Sequence, residues 1–445
     1  MKNINQLIEK YSLELNRGSL YLDCSQEKYL ANYQNAVVIH NPISQTNLFI
    51  LNDTLKNRYA NLIFLKGHEI NRSKFSLVIL DELWNKLSPK GYLVLNEFVE
   101  NRNLSIYGLK SLIYDFSAGT AELCYENRSE NTYELVFRKP EQDEPRHAGK
   151  IDAWSFGVIT QGKRKEFVEK LLDSIIEQKI PEFEIILVGD YIHQINDEYV
   201  DKVKIIPFSQ QDDKGWITKK KNIIAQNAKY ENLLVVHDRF ILDKNFYSGM
   251  CRYGNSFSIL TCKQEMYDGW RTPDWVSINN SHAWATPAFM EYEDYSPLVY
   301  CNGGLTIIKK TIALQHPWNE MLFWNQAEDV ELTHRLFRHG YFLRLNPYSK
   351  AIVLHQNNVR NLYGGFEPFI QIAEVNPNQF IYADEPKGLA QNAYLSNSEP
   401  HKFYSLKTEL IQAKSMITAM ESSKFWKLRK AWVKLKQALG LKGTE

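Results

Sequence analysis

Residues 232–240 read NLLVVHDRF, an apolar run that ends in His237, Asp238 and Arg239. A short apolar run bounded by polar residues predicts a buried β-strand. A buried strand that ends in polar side chains presents them at the edge of a sheet, which is where α/β proteins bind their ligands. An ordinary polar turn after a strand gives the same pattern, so this stretch alone leaves both interpretations open.

The segments around this strand repeat the pattern. Further buried strands are predicted at 153–160 (AWSFGVIT), 183–190 (FEIILVGD), 202–208 (KVKIIPF) and 349–355 (SKAIVLH). Apolar residues recur at helical spacing in three segments, 165–178, 218–228 and 327–341. Alternating strands and helices predict an α/β layer fold, with a ligand site at the carboxyl edge of its sheet.

A second segment, 323–341 (FWNQAEDVELTHRLFRHGY), carries residues suited to acid–base chemistry. Glu328 and Asp329 fall in the first turn of the predicted helix, where the helix dipole favours ionised carboxylates. An ionised carboxylate can take a proton from a hydroxyl nucleophile. The preceding Phe323 and Trp324 offer an aromatic surface on which a sugar can stack. A charge pair without a function, next to aromatic residues of the core, would give the same pattern.

Together these segments resemble the GT-A fold glycosyltransferases, most closely the large family 2 of inverting enzymes. The opening of that family is similar to 154–190 (WSFGVITQGKRKEFVEKLLDSIIEQKIPEFEIILVGD), and its central stretch to 218–239 (TKKKNIIAQNAKYENLLVVHDR). Its acceptor region is similar to 302–310 and 323–341. The resemblance covers nearly half of the chain. It implies a hexosyltransferase that moves a sugar from a nucleotide-sugar donor to a hydroxyl group with inversion.

The resemblance implies a role for each matched residue. Asp329, with Glu328 beside it, would be the general base that deprotonates the acceptor. Trp324 is predicted to bind the acceptor because of its aromatic side chain, not because of the resemblance. The donor-binding positions would be Thr160, Asp190, Lys221, Asn222, Asp238, Gly303 and Gly304. Arg239, where the chain departs from the family, is predicted to bind the donor from the chemistry of its own side chain. A divalent metal ion, Mn²⁺ or Mg²⁺, would be held by Asp238 and His355. The acceptor would be a growing surface polysaccharide or a lipid-linked glycan.

The chain departs from this family at the metal-binding motif. The family's Asp-x-Asp is replaced by His237-Asp238-Arg239, so a guanidinium stands in place of the second carboxylate. Mg²⁺ and Mn²⁺ prefer oxygen ligands, whereas arginine forms paired hydrogen bonds with phosphate. We expect a weakly held divalent ion assisted by Arg239. The alternative that this departure favours is a non-catalytic glycan-binding or scaffold protein built on the same fold.

Residues 1–140 are predicted to form a separate Rossmann-like domain, with 76–81 (SLVILD) among its strands. The stretch 75–98 resembles the later half of a class I methyltransferase, and 134–140 resembles the last strand of that fold. The glycine-rich turn that binds S-adenosylmethionine should follow the first strand. Here that strand, YLDC at 21–24, leads into SQEKYLANY without a glycine. We therefore expect a degenerate domain that binds no S-adenosylmethionine and serves in docking or assembly.

Three further segments complete the predicted organisation. Residues 141–152 (EQDEPRHAGKID) are charged and contain proline and glycine, which predicts a linker before a GT-A domain at 153–400. Residues 401–445 are predicted to form a helical tail. Within it, 424–442 carries apolar and aromatic residues on one stripe, with seven lysines or arginines and no acid. This pattern favours binding to an anionic membrane surface, with packing on the protein or a second copy as the alternative.

The overall composition limits the remaining classes of function. A net charge of +1 argues against a nucleic-acid-binding protein. Five cysteines without metal-ligand spacing favour a reducing compartment. The polar N-terminus and the absence of any run of about 18 apolar residues predict neither a signal peptide nor a membrane span. We therefore expect a cytoplasmic protein, peripheral on the inner face of the membrane.

Overall fold

In the part of the chain that it describes, the computed structural model contains a six-stranded, an eight-stranded and a three-stranded sheet. The described residues are 6, 8–11, 20–24, 36–38, 59–67, 70, 75–100, 104–141, 147–190, 199, 201–208, 215–267, 271–278, 287–290, 292, 295–324 and 326–354. The predicted tail at 401–445 and the predicted metal ligand His355 lie outside them. None of the described helices is both long and apolar enough to cross a membrane.

The N-terminal sheet has its strands in the order β2-β1-β3-β4-β6-β5. They are β1 (Tyr21–Asp23), β2 (Ala36–Val38), β3 (Ala60–Lys66), β4 (Leu87–Phe98), β5 (Glu122–Ser129) and β6 (Thr132–Arg138). The first four strands are parallel, and β6 runs antiparallel between β4 and β5. The helices of this region are α1 (Ser76–Lys86) and α2 (Ile106–Phe116).

The segment SLVILD at 76–81 is part of helix α1, so the strand predicted there is wrong. Every residue of α1 except Asn85 is buried. A helix that is buried on all sides shows no amphipathic periodicity, and a short apolar run then fits a strand as well as a helix. The strand that precedes α1 in the sheet is β3, at Ala60–Lys66.

The central sheet has its strands in the order β11-β17-β12-β16-β10-β7-β8-β9. They are β7 (Ala153–Ile159), β8 (Glu182–Val188), β9 (Val203–Ile206), β10 (Asn232–His237), β11 (Phe240–Leu242), β12 (Ile259–Met266), β16 (Leu305–Lys309) and β17 (Leu343–Val353). The small sheet consists of β13 (Val276–Ile278), β14 (Pro287–Phe289) and β15 (Val299–Tyr300). The helices are α3 (Lys165–Ile176), α4 (Ile217–Asn227), α5 (Phe246–Tyr253), α6 (Lys310–Gln315) and α7 (Glu328–Arg338). Sheets and helices in this mixture confirm the predicted α/β class.

The ends of several strands meet at one edge of the central sheet. Strands β7, β8 and β10 are parallel, so the residues that follow them lie at the same edge. Strand β16 is antiparallel to β10, and its start, just after Gly303 and Gly304, therefore lies at this edge as well. The N–H of His237 donates to the carbonyl of Gly304 at 3.0 Å. This edge is the carboxyl edge at which the sequence predicts a ligand site.

A buried ionic contact joins the N-terminal lobe (described residues up to 141) to the central lobe (described residues from 147 to 354). Arg344 of β17 is 1% exposed. Its Nη1 lies 2.6 Å from Oε2 of Glu82, and its Nη2 lies 2.6 Å from Oδ2 of Asp81, both on α1. His147, in the second half of the predicted linker, lies 3.6 Å from Asp81 and 3.2 Å from Ser256. This half of the segment is thus packed between the lobes.

Candidate active site

The candidate active site lies where β7, β10 and β16 end or begin together, and it is organised around Asp238. This carboxylate is 3% exposed. The hydroxyl of Thr160 donates to Oδ2 of Asp238 at 2.8 Å, and the N–H of Asp238 donates to the carbonyl of Ile159 at 3.1 Å. Two predicted donor-binding residues that are 78 positions apart in sequence are therefore in direct contact.

Cationic side chains surround Asp238. Nη2 of Arg164 lies 3.3 Å from its Oδ1, and Lys220 donates to the carbonyl of Thr160 at 3.0 Å. The Nε of Arg239 is buried without a hydrogen-bond partner among the described residues. Burial raises the pKa of Asp238 above its ordinary value, and the charges of Arg164, Arg239 and Lys220 oppose that rise. Several cations around one carboxylate suit a ligand that carries more than one negative charge.

Arg164 and Lys220 are site residues that the sequence analysis did not identify. Arg164 comes just before α3, within the basic stretch QGKRK at 161–165 that follows β7. Lys220 lies on α4, which packs closely on β7 because Gly157 has no side chain. A Cβ at Gly157 would stand only 2.1 Å from the side chain of Ile224 on α4. The only sequence signal for both residues is an excess of basic residues near the ends of the predicted strands.

The described residues around Asp238 do not fit a divalent metal ion. One of its oxygens accepts a hydrogen bond from Thr160, and the other faces the guanidinium of Arg164. Within the described ranges, no group of three or more His, Cys, Asp or Glu side chains is arranged to hold a metal. Mg²⁺ and Mn²⁺ need several oxygen ligands, and neighbouring cations repel them. This part of the site is suited to binding an anion directly.

Lys221 connects helix α4 to the start of helix α7. Its ammonium is fully buried and donates to the carbonyl of Gly303 at 2.9 Å and to Oε1 of Glu328 at 3.0 Å. A Cβ at Gly303 would lie 2.5 Å from the same carboxylate oxygen, so only glycine leaves room for this ion pair. Lys221 and Glu328 therefore hold the glycine loop against α7.

Asp329 stands beside this ion pair at the first turn of α7. Its Oδ2 accepts the N–H of Gly303 at 2.8 Å, and its Oδ1 accepts the N–H of Val330 at 2.9 Å. Burial and the neighbouring charge of Glu328 raise the pKa of Asp329 to about 7, against the opposing charge of Lys221 and the two N–H groups. A carboxylate whose pKa lies near neutrality is well matched to proton abstraction at neutral pH.

Asn222 and Asp190, also predicted to bind the donor, have different surroundings. The side-chain amide of Asn222 donates to the carbonyl of Trp318 at 2.9 Å and to Oε1 of Glu320 at 3.0 Å. Its Oδ1 accepts the backbone N–H of Trp318 at 2.9 Å. These bonds fix the segment that precedes α7. Asp190 follows β8 at the site edge and is half-buried. In the structure as described, no hydrogen bond joins it to the other predicted site residues.

An aromatic surface lies just before the start of α7, and we call Trp216, Phe323 and Trp324 the aromatic platform. The side chain of Trp324 is 63% exposed, and the backbone N–H of this residue donates to the carbonyl of Gly215 at 2.8 Å. The rings of Trp216 and Phe323 have their centroids 5.6 Å apart. Trp324 is thus accessible to a ligand near Asp329, as its predicted role requires.

If Asp329 is the general base, transfer activity should increase as the pH rises through about 7, because only the ionised carboxylate accepts a proton. Glu328→Gln should move this rise to lower pH. The substitution removes the like charge that raises the pKa of Asp329, and it frees the positive charge of Lys221 to lower that pKa further. The measurement is the dependence of kcat/KM on pH.

The matched control is Glu331→Gln, on the same helix, whose negative charge is paired with Arg335 at 2.6 Å. It should leave the pH profile unchanged. A profile that stays in place for Glu328→Gln, or that moves to higher pH, would contradict the assignment of this limb to Asp329.

Comparisons by sequence yield no relatives, since no protein-family model matches the chain and a search of curated proteins returns no match. Comparison of the fold with solved structures finds glycosyltransferases with the GT-A fold. One is TarS of S. aureus, residues 1–349, at 15% identity and a TM-score of 0.32, covering 61% of this chain and 73% of that chain.

The same comparison with solved structures finds two further glycosyltransferase structures. The complex of TarS with UDP-GlcNAc is 17% identical, with a TM-score of 0.33, and the match covers 61% of this chain and 74% of that chain. GalNAc-T7, crystallised with UDP, GalNAc and Mn²⁺, is 16% identical with a TM-score of 0.38. That match covers 61% of this chain and spans 57% of the GalNAc-T7 chain.

Proposed function

We propose that this protein is an inverting glycosyltransferase that moves a hexose from a nucleoside-diphosphate donor to a hydroxyl acceptor. The observation that carries the proposal is the presence, at one sheet edge, of two complementary groups. One is Asp329, a carboxylate with a pKa near neutrality. The other is the set of cations around Asp238. The first can accept the proton of the acceptor, and the second can bind the leaving diphosphate.

In this proposal Arg164, Arg239 and Lys220 bind the diphosphate of the donor. Arginine hydrogen-bonds two phosphate oxygens at once, and the buried Nε of Arg239 lacks a partner among the described residues. Gly304 leaves space for this guanidinium, since a Cβ there would lie 3.1 Å from its Nη2. Cations in a water-poor site stabilise the charge that develops on the leaving group.

The reaction that we propose is a single displacement. The acceptor oxygen forms a bond to the anomeric carbon while the bond from that carbon to the diphosphate oxygen breaks. The electron pair of the broken bond stays with the diphosphate, and the proton of the acceptor passes to the carboxylate of Asp329. Attack from the face opposite the leaving group inverts the anomeric configuration. The described residues do not fit a metal ion, so no step in this scheme uses one.

Removal of divalent ions with EDTA should therefore leave a substantial part of the transfer activity. Arg239→Ala should weaken donor binding about tenfold or more, because a charge-assisted hydrogen bond contributes ~1.5–3 kcal/mol. The substitution also removes a positive charge that repels Mg²⁺ or Mn²⁺ from Asp238, so the remaining activity of this variant should depend on these ions more strongly than that of the wild type. Calorimetry measures donor binding by the variant and by the wild type. A transfer assay with and without EDTA measures how far the activity of each depends on divalent ions.

The matched control is Arg252→Ala, an exposed arginine on α5, which should bind the donor like the wild type. Complete loss of activity in EDTA, together with unchanged donor binding by Arg239→Ala, would mean that a metal ion provides the positive charge.

For the acceptor we propose a growing surface polysaccharide or a lipid-linked glycan. The aromatic platform supports a sugar acceptor, because Trp324 is exposed beside the first turn of α7, and aromatic rings offer an apolar face to a sugar ring. The basic stripe at 424–442 supports a substrate at an anionic membrane surface. That stripe lies outside the described residues, and its role rests on the sequence pattern.

For the N-terminal lobe we propose a degenerate methyltransferase-like domain that serves in docking. The order of its strands, with the antiparallel β6 placed between β4 and β5, supports the resemblance. A docking role is supported by the buried contacts of Asp81 and Glu82 with Arg344. The glycine-free segment after β1, on which the expected lack of S-adenosylmethionine binding rests, lies outside the described residues.

A second candidate is a non-catalytic glycan-binding or scaffold protein. It is favoured by the engagement of both oxygens of Asp329 with backbone N–H groups and by the contact of Asp238 with Arg164. A thermal-shift screen over nucleotide-sugars, with and without EDTA, distinguishes the two, because a ligand that binds only the native state raises Tm. The glycosyltransferase proposal expects at least one nucleotide-sugar to raise Tm. The scaffold proposal expects a response to glycans only.

A further inference from the structure

A cavity of about 710 Å³ lies where the N-terminal lobe meets the central lobe. One wall comes from Tyr59, the end of α1 and Lys139, and the other from residues between His147 and Asp152 and from the end of α5. Cavities that bind small molecules have volumes of about 300–1,000 Å³. We call this space the interlobe cavity.

The interlobe cavity lies at the opposite edge of the central sheet from Asp238. Strand β7 begins at Ala153, next to the cavity residue Asp152, and ends just before Thr160. A strand rises about 3.3 Å per residue, so its length separates the cavity from the candidate active site by about 20 Å. A molecule in the interlobe cavity therefore does not occupy the proposed donor site.

Lysine side chains dominate the charge of the interlobe cavity. Among its described lining residues, Lys86, Lys139 and Lys150 are the lysines and Asp152 is the single acid. His147 adds no charge near neutral pH, because burial lowers its pKa to about 4. Lys86 is only 7% exposed. Burial lowers the pKa of its ammonium, and the neighbouring carboxylate of Glu82 opposes that shift. An anion in the cavity would favour the charged ammonium further and offset the cost of its burial.

The walls of the interlobe cavity are fixed by hydrogen bonds within the protein. The ammonium of Lys139 donates to the carbonyl of Trp84 at 2.9 Å, which holds this cation in place at the end of α1. Asn255 accepts a hydrogen bond from the buried Lys309 at 2.9 Å and donates to the carbonyl of Gly149 at 2.9 Å. Groups that are held in position before binding lose less entropy when a ligand arrives.

We propose that the interlobe cavity binds a small molecule that carries a phosphate group. Lysine ammonium groups bind phosphate as point charges, and the apolar side chains of Leu87, Pro89 and Ile151 line the same space for an organic part. Lys86 belongs to the N-terminal lobe and Lys150 to the central lobe, so each lobe supplies a cation to the cavity. This site is independent of the proposed transferase activity.

Cys251 allows binding to be measured at this site. It is exposed and lines the interlobe cavity, whereas Cys24, Cys262 and Cys301 are buried. Inorganic pyrophosphate, added at constant ionic strength, should slow the alkylation of Cys251 by iodoacetamide in proportion to occupancy, as measured by peptide mass spectrometry. Adenosine monophosphate and glucose 1-phosphate, compared in the same assay, show whether the organic part is a nucleoside or a sugar.

Lys86→Gln combined with Lys150→Gln should raise the pyrophosphate concentration needed for protection about tenfold or more. Lys90→Gln should not, since Lys90 is exposed on β4, pairs with Glu141 and lies outside the cavity lining. If the double variant does not fold, Lys150→Glu replaces it, since Lys150 is exposed. This single variant should also need a higher pyrophosphate concentration for protection of Cys251.

Arg164→Ala combined with Arg239→Ala should leave the protection of Cys251 intact, which separates this site from the proposed donor site. Two results would overturn the proposal. One is an alkylation rate of Cys251 in the wild type that pyrophosphate does not change. The other is equal protection in the wild type and in the lysine variants.

Discussion

Asp329→Asn should reduce sugar transfer about 10²–10⁴-fold, the usual cost of losing a general base, and should leave donor binding nearly unchanged. The amide cannot accept the proton of the acceptor, whereas the cations around Asp238 lie on other elements of the site. The measurements are kcat in a transfer assay and the Kd of the donor by calorimetry. Wild-type turnover in this variant would remove Asp329 from the mechanism.

Asp329→Asn should also lower the stability of the folded protein, which affects any comparison of transfer rates. The carboxylate of Asp329 accepts two backbone N–H groups, and an amide has only one acceptor oxygen. One buried N–H therefore loses its partner, which costs ~1–3 kcal/mol of stability. Transfer rates should be compared at temperatures where both proteins are folded. The loss expected from the chemistry remains at those temperatures, whereas a loss caused by unfolding alone would not.

Arg344→Leu should lower the free energy of unfolding by ~3–5 kcal/mol, because it leaves two buried carboxylates without their cation. Asp81 and Glu82 are both almost completely buried and both lie 2.6 Å from the guanidinium. Because the three side chains come from α1 and β17, the loss should appear in the unfolding of both lobes. Urea denaturation followed by tryptophan fluorescence measures it.

Lys350→Leu is the matched control, since Lys350 is on the same strand and pairs with Glu265 at 3.0 Å near the surface. A partly exposed pair of this kind contributes ~0–1 kcal/mol. Adding Asp81→Asn and Glu82→Gln to Arg344→Leu should restore part of the lost stability, since the buried charges are then removed. If Arg344→Leu loses no more stability than Lys350→Leu, the ionic contact does not hold the lobes together.

The sequence predicted the fold class and the sheet edge better than the contacts at that edge. The apolar strand that ends in polar residues indicated Asp238, and the resemblance to GT-A enzymes indicated Thr160. The structure brings these two side chains into contact. The roles of the site residues in donor and acceptor binding stay predictions. The strand order, which places β16 antiparallel beside β10, follows from tertiary packing and could not be read from local patterns.

Two kinds of feature could not be predicted from the sequence, for physical reasons. Helix α1 is buried on all sides, so SLVILD lacks the periodicity that separates a helix from a strand. The contacts of Arg164 with Asp238 and of Asn222 with Trp318 join residues far apart in the chain. No local pattern encodes such partners, because they depend on how α3 and α4 pack on the sheet.

The proposed transferase requires that a nucleoside-diphosphate donor binds at the edge formed by Thr160, Arg164, Asp238 and Arg239. Photolabelling with a photoreactive nucleoside diphosphate, followed by peptide mapping, locates the bound donor. We predict saturable labelling of peptides that contain residues 160–164 and 237–239, competed by the nucleotide-sugar that raises Tm. Labelling confined to the interlobe cavity, or no saturable labelling with any nucleoside diphosphate, would rule out a donor site at this edge.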